Sequence, residues 1–281
     1  MQLEDNGPCA IVRNLYYLGP DRKERMDVYL PGSAEEEAYP CIIIYHTDGR
    51  ESRRSRELEA DMALYLAARG YVILLAETST ALRNLAGWNE ELVVPGWPNN
   101  LFECKSAVRY ARKWADTYRI DPARIGVIGG HLALLTAFTA NHAVMNQGGL
   151  YQEYSSEVSC AIDVYGIEDF LTWSYPAYQG FPLAMMARNL PTAHEGYDAF
   201  PIEGGPKQGN DVPPLLIVHG ALTGESGLAL SPDFIEQLKA TDLAWQFVAA
   251  GSATDREQSS IQVDLRQMIV QFLDRILKAS G

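Results

Sequence analysis

The sequence predicts an α/β fold, a mostly parallel central sheet flanked by helices, and three observations predict it. Short β-branched runs alternate along the whole chain with segments of helical spacing, the pattern of βα units packed in layers. The run CIIIY (41–45) is apolar without alternation, as a strand buried on both faces requires. The length, 281 residues, suits one domain over 1–281 that carries an insertion.

Each element has its own signal. Residues 25–30 (RMDVYL) alternate, an edge-type strand closed by Pro31-Gly32. Residues 41–45 make the buried strand, and 56–69 place Leu58, Met62 and Leu66 on one helical face before Gly70 stops them. Residues 71–75 are the next buried strand, and 101–118 a long amphipathic helix ending ahead of a turn at Asp121-Pro122. Residues 124–128 (RIGVI) form a strand, followed by Gly129-Gly130 and an apolar helix over 132–144. Further strands are expected over 158–164, 215–218 and 246–249, and closing helices over 232–240 and 261–278. Residues 169–213 are rich in Pro, Gly and aromatics, which predicts a lid-like insertion over the carboxyl ends of the strands, where ligands bind.

Composition narrows the function classes. With 47% hydrophobic and 21% charged residues the chain is of ordinary globular type. A formal net charge of −13 argues against nucleic acid and against anionic membrane, because both need basic patches. No apolar run reaches the ~18 residues of a membrane span. The opening MQLEDNGPCAIVRN lacks the basic and apolar regions of a secretory signal, so a cytoplasmic location is expected. Cys9, Cys41, Cys104 and Cys160 have no metal-ligand spacing and read as buried small hydrophobes in a reducing compartment. No metal and no cofactor is expected.

Five stretches carry a resemblance: DVYLP (27–31), IIIYH (42–46), LAARGYVIL (66–74), KSAVRYARKWADTYRIDPARIGVIGG (105–130) and PPLLIVHG (213–220). Their order over nearly the whole chain resembles the α/β-hydrolase fold, in its carboxylesterase and feruloyl-esterase-like branch. The resemblance implies a nucleophilic Ser, a His, an Asp or Glu, and backbone amides forming an oxyanion hole.

Each implied part has an address, and none holds the expected residue. The nucleophile belongs on a G-x-S-x-G turn, yet the chain reads Gly129-Gly130-His131-Leu132-Ala133. Either Ser-Ala-Gly-Gly is deleted before His131, or His131 replaces the serine. The oxyanion loop belongs at His-Gly-Gly-Gly, where glycines let amides approach the developing charge. Here it is His46-Thr47-Asp48-Gly49, with a carboxylate of the wrong sign. The acid falls nearest Thr223, with Glu225 close by, and the catalytic His falls nearest Thr254. No histidine occurs after His219, which does not depend on alignment.

These positions leave several functions open. The first is a pseudohydrolase that binds a small-molecule ligand in the former substrate pocket, lined by His46, Gly130, Trp173, Tyr175 and Tyr178. The second is a lyase, cyclase, isomerase or non-serine hydrolase using His131, Asp48 and Glu225 as acid/base groups. The third is a structural or homodimer partner, with the loop aromatics as an interface. His131 itself reads either as a reactive imidazole at the turn, kept neutral by the helix dipole, or as a packed remnant of the first helical turn. His46 reads as a loop anchor, and Asp163 either faces the pocket or caps a turn.

Overall fold

The computed structural model describes residues 3–5, 9–32, 36–47, 52–79, 99–141, 145–164, 213–220, 244–250 and 265–278. Among them are nine strands: β1 (Leu3–Asp5), β2 (Cys9–Leu15), β3 (Met26–Pro31), β4 (Tyr39–Thr47), β5 (Val72–Thr78), β6 (Ile120–Gly129), β7 (Cys160–Val164), β8 (Leu215–Gly220) and β9 (Trp245–Ala250). The helices are α1 (Ser52–Ala67), α2 (Asn99–Lys113), α3 (Ala115–Tyr118), α4 (His131–Phe138) and α5 (Leu265–Leu273), which runs into a π-helical turn, Asp274–Lys278.

The strands form one sheet in the order β1-β2-β3-β5-β4-β6-β7-β8-β9. The pairs β1–β2, β2–β3 and β3–β5 are antiparallel, and every pair from β5–β4 to β8–β9 is parallel. This is the mostly parallel, helix-flanked architecture that the sequence predicts. Alternation within each strand feeds two cores. Ile43, Leu74 and Val127 pack against Leu101 and Val108 of α2 and Leu132 and Leu135 of α4. Ile42, Ile73 and Ile162 pack against Leu66 of α1 and Phe272 of α5. Each such side chain, fully buried, contributes about 1.5–3 kcal/mol.

Several elements differ from expectation for physical reasons. Strands β1 and β2 are not in the sequence reading. In β2, Val12 faces Val28 while Leu15 faces Met26, so three residues span what two span on β3. Asn14 takes a left-handed φ of 57° at this bulge, and the period-2 signal is lost. Helix α1 starts at Ser52, four residues before the apolar periodicity, because its polar first turn carries none. The stretch 101–118 is two helices, broken at Trp114. The Asp121-Pro122 turn is absorbed into β6: Tyr39 faces Ile120 and Cys41 faces Ile125, with Asp121 Oδ1 accepting the Ala123 N–H at 2.9 Å. Helix α4 ends at Phe138, short of 144, where Thr139 turns its hydroxyl back onto the Leu135 carbonyl.

Helix α2 is buried along Cys104–Ala111 rather than amphipathic. Residues 145–157 cover its outer side and are tied down by cations one helical turn apart. Arg109 donates to the carbonyls of Asn146 and Gly148 at 2.8 Å each, and Arg112 to those of Ser155 and Glu157 at 2.8 and 2.7 Å. Lys105 donates to the Thr139 carbonyl, which joins α2 to the end of α4. At Arg109 and Arg112, carbonyl lone pairs thus satisfy positive charge that would otherwise be costly to bury.

Candidate functional site

The six parallel strands end at one edge of the sheet. In register, His46 faces Glu77, Thr47 faces Thr78, Gly129 faces Asp163, Val164 faces Val218, and Gly220 faces Ala250. A ledge therefore runs across the carboxyl ends of the strands, the place where open α/β sheets bind ligands.

At its centre the strand-to-helix turn is short. β6 is still paired at Gly129, and α4 starts at His131, leaving Gly130 as the sole residue between them. The helix N-terminus has no side-chain cap, and the Ala133 N–H bonds the Gly130 carbonyl at 2.9 Å. The turn packs closely on the sheet. A Cβ on Gly129 would lie 3.4 Å from the Tyr45 Cβ and 3.6 Å from the Ala133 Cβ. Tyr45, whose hydroxyl donates to the Cys104 carbonyl at 3.2 Å, has its phenol pushed well above its ordinary range by burial. Asp163 is fully buried on the next strand.

His46 occupies the other face. Tyr45 belongs to the core under α2 and α4, so the next side chain points toward α1. There His46 Nδ1 lies 2.5 Å from Glu59 Oε2, while the Thr78 hydroxyl bonds the His46 carbonyl at 3.3 Å. This arrangement clamps the end of β4 to α1. Glu59 is a partner the sequence reading missed. Its spacing from His46 across a βα loop carries no signal.

Of the sequence-identified positions, Gly130 and the backbones of Thr47 and His131 lie at the ends of neighbouring strands β4 and β6. The side chains of Thr47 and His131 lie outside the described atoms. Asp48, Trp173, Tyr175, Tyr178, Thr223, Glu225 and Thr254, with the expected lid at 169–213, also lie outside the described residues.

The cysteines do not supply a substitute nucleophile. All four are free and buried, and burial pushes each thiol up, Cys160 to about 12, so the nucleophilic thiolate is disfavoured. Among the described residues, no group of three or more His, Cys, Asp and Glu is placed to hold a metal ion. No described helix is long and apolar enough to cross a membrane.

This sheet order, with its ledge at the strand ends, is that of the α/β-hydrolase fold. Residues 26–223 match the BD-FAE family model, and the chain belongs to that family. It is similar to Esterase LipC of Mycobacterium tuberculosis (strain ATCC 25618 / H37Rv), 25% identical over 249 residues, covering 83% of this chain and 58% of LipC. It is also similar to the probable carboxylic ester hydrolase LipM of the same organism, 27% identical over 152 residues, 51% of this chain and 34% of LipM. The chain thus spans less than two thirds of the length of either relative. Solved structures with the same fold include a truncated form of a carbohydrate esterase from gut microbiota, with a TM-score of 0.67 at 18% identity, covering 95% of this chain and 96% of that one. Another is the propionate-bound esterase Est2 of the Planctomycetes species Thermogutta terrifontis, with a TM-score of 0.64 at 19% identity and 96% of each chain covered.

Proposed function

We propose that this chain is a pseudohydrolase, a member of an esterase family that keeps the ligand ledge and binds a small molecule there without hydrolysing esters. The observation that carries this reading is the turn at 129–131. A hydroxyl nucleophile needs a residue lifted above the sheet between strand and helix, and the sole residue between paired Gly129 and the helix start is a glycine. The absence of any histidine after His219 supports the same reading, because the general base of this fold follows the last strand. Loss of either group typically lowers turnover by about 10⁶-fold.

The test is hydrolysis of short-chain p-nitrophenyl esters by the purified protein beside a His131→Ala variant. The expected result is no turnover above the buffer rate in either. Turnover that disappears in the variant would overturn the proposal and place a non-serine mechanism at His131. Ligand discovery then proceeds by thermal shift, since a ligand present at about 100 times its Kd stabilises the fold by about 2.7 kcal/mol.

A further inference from the structure

At the rim opposite the ledge, the amino ends of the last two strands leave a recess beside the end of α5. β8 begins at Leu215 and β9 at Trp245, and the Leu215 N–H donates to the Ala244 carbonyl at 2.8 Å, which holds the two strand starts level. The recess is a cavity of about 320 Å³, with Pro214, Leu215 and Trp245 on the strand side and Phe272, Arg275 and Ile276 on the helix side. Leu215 and Phe272 are buried members of the two cores, so the packing of the fold itself fixes part of the apolar wall.

The helix side is the π-helical turn Asp274–Lys278, a rare geometry that recurs at functional sites. Three of its five residues pin it to the fold. Asp274 Oδ1 accepts the Tyr71 hydroxyl at 2.7 Å and pairs with Lys278 at 2.9 Å. Lys278 Nζ also donates to the Arg69 carbonyl at 2.7 Å, and the Leu277 carbonyl accepts from Arg124 at 3.2 Å. The other two, Arg275 and Ile276, line the cavity. The Arg275 guanidinium is exposed, 5.6 Å from the centre of the Phe272 ring. Its hydrogen bond goes to a neutral amide, Gln246 Oε1, at 3.4 Å, longer than the roughly 2.7–3.2 Å of a good bond. Among the described residues no carboxylate pairs with it, the adjacent Asp274 being engaged by Tyr71 and Lys278.

This combination selects a ligand with two parts. A guanidinium presents its N–H donors in a planar fork that matches a carboxylate through two parallel bonds, and one long bond to an amide is a weak competitor. A chain of net charge −13 repels small anions at long range, so apolar contact must supply part of the affinity. Trp245, Pro214 and Ile276 offer that contact, and the volume, at the low end of the ~300–1,000 Å³ of ligand sites, admits a single ring. A cation would face Arg275, and a neutral ring would gain nothing from it. We propose that this recess binds a small organic carboxylate whose apolar body is one ring, the carboxylate on Arg275 and the ring among Trp245, Pro214 and Ile276. The site lies at the opposite rim from the ledge and does not rest on the pseudohydrolase reading, so the ester assay leaves it unchanged.

Saturation-transfer NMR on the full chain tests it, with benzoate and cyclohexanecarboxylate as probes and acetate, benzyl alcohol and benzylamine as controls. Each is used at about 10 mM, enough to fill a site with a Kd of about 1 mM. The expected result is saturation of at least one ring carboxylate well above all three controls. Its affinity falls about tenfold or more in Arg275→Gln, which removes the fork from an exposed side chain. It is lost in Ala244→Phe, which puts a ring into the recess from an exposed position. No saturation of either ring carboxylate would overturn the proposal. So would benzyl alcohol or benzylamine bound as strongly as benzoate, or acetate bound as strongly, which would mean an adventitious anion only. If Ala244→Phe does not fold, Arg275→Gln decides: unchanged affinity there refutes the site.

Discussion

Lys105 makes stability depend on pH through a buried ammonium whose effect a single substitution isolates. Its ammonium is fully buried in α2, bonded to the Thr139 carbonyl and 3.5 Å from Asn146 Oδ1. Burial, reinforced by the nearby Arg109 guanidinium and partly opposed by Cys104, pulls it from 10.5 down to about 7. Because the folded value lies below the unfolded one, the unfolded chain binds more protons between those limits. The Lys105 contribution therefore rises with pH across the window and is constant below about 7. At about 1.36 kcal/mol per pH unit, the full gap bounds the effect at about 5 kcal/mol. Urea unfolding of the wild type and Lys105→Met at about pH 7.5 and about pH 9.5 isolates it, since the buried cysteines are common to both proteins. The wild type should gain about 2–3 kcal/mol on the variant between those two conditions. A stability difference that does not change with pH would show that Lys105 stays charged, held by its carbonyl partners, and would refute the reasoning.

Two further outcomes follow from the packing on α2 and α5. Gly149 has a φ of +85°, and a Cβ there would lie 2.4 Å from the Ser106 Oγ and 2.5 Å from the Phe102 carbonyl oxygen. Gly149→Ala should lower stability by about 2–4 kcal/mol in denaturant melts, against about 1–2 for Gly19→Ala, where φ is +97° but the space is open. Equal losses would show that the contact with α2 is irrelevant. Tyr71→Phe removes the 2.7 Å bond from the Tyr71 hydroxyl to Asp274 Oδ1, which joins the start of β5 to the π-helical turn. A loss of about 1 kcal/mol is expected, and no change in the unfolding midpoint would remove that bond from the account.

The parts of the fold legible in the sequence were those whose signal is local. The run 41–45 had to be a doubly buried strand, and Gly70 had to end a helix. What stayed hidden depends on partners remote in sequence. β2 lost its alternation at the Asn14 bulge, which only its pairing with β3 defines. The stretch 101–118 reads as one amphipathic helix, whereas residues 145–157 lie over Arg109 and Arg112 and accept their hydrogen bonds. At the site, the stretch Gly129-Gly130-His131 without a serine is read directly off the chain. The Glu59 partner of His46 is not, because it arises only when α1 packs against the end of β4.

A short turn at the centre of the ledge is compatible with an intact esterase fold for a reason visible in the packing. The two cores draw their members from strand interiors and from the covered faces of α1, α2, α4 and α5. Gly130 belongs to neither core. Gly129 contributes only by its smallness, letting Tyr45 and Ala133 close over the end of β6. A change of residue or of a few residues' length in such a turn alters loop-closure entropy by well under about 1 kcal/mol, whereas one buried leucine is worth about 1.5–3. Selection on stability therefore holds the sheet and its helices in place whatever the turn carries, and only selection on turnover holds a serine there. Membership of the family does not by itself establish its chemistry, which is why the ester assay, rather than the likeness of folds, decides the question.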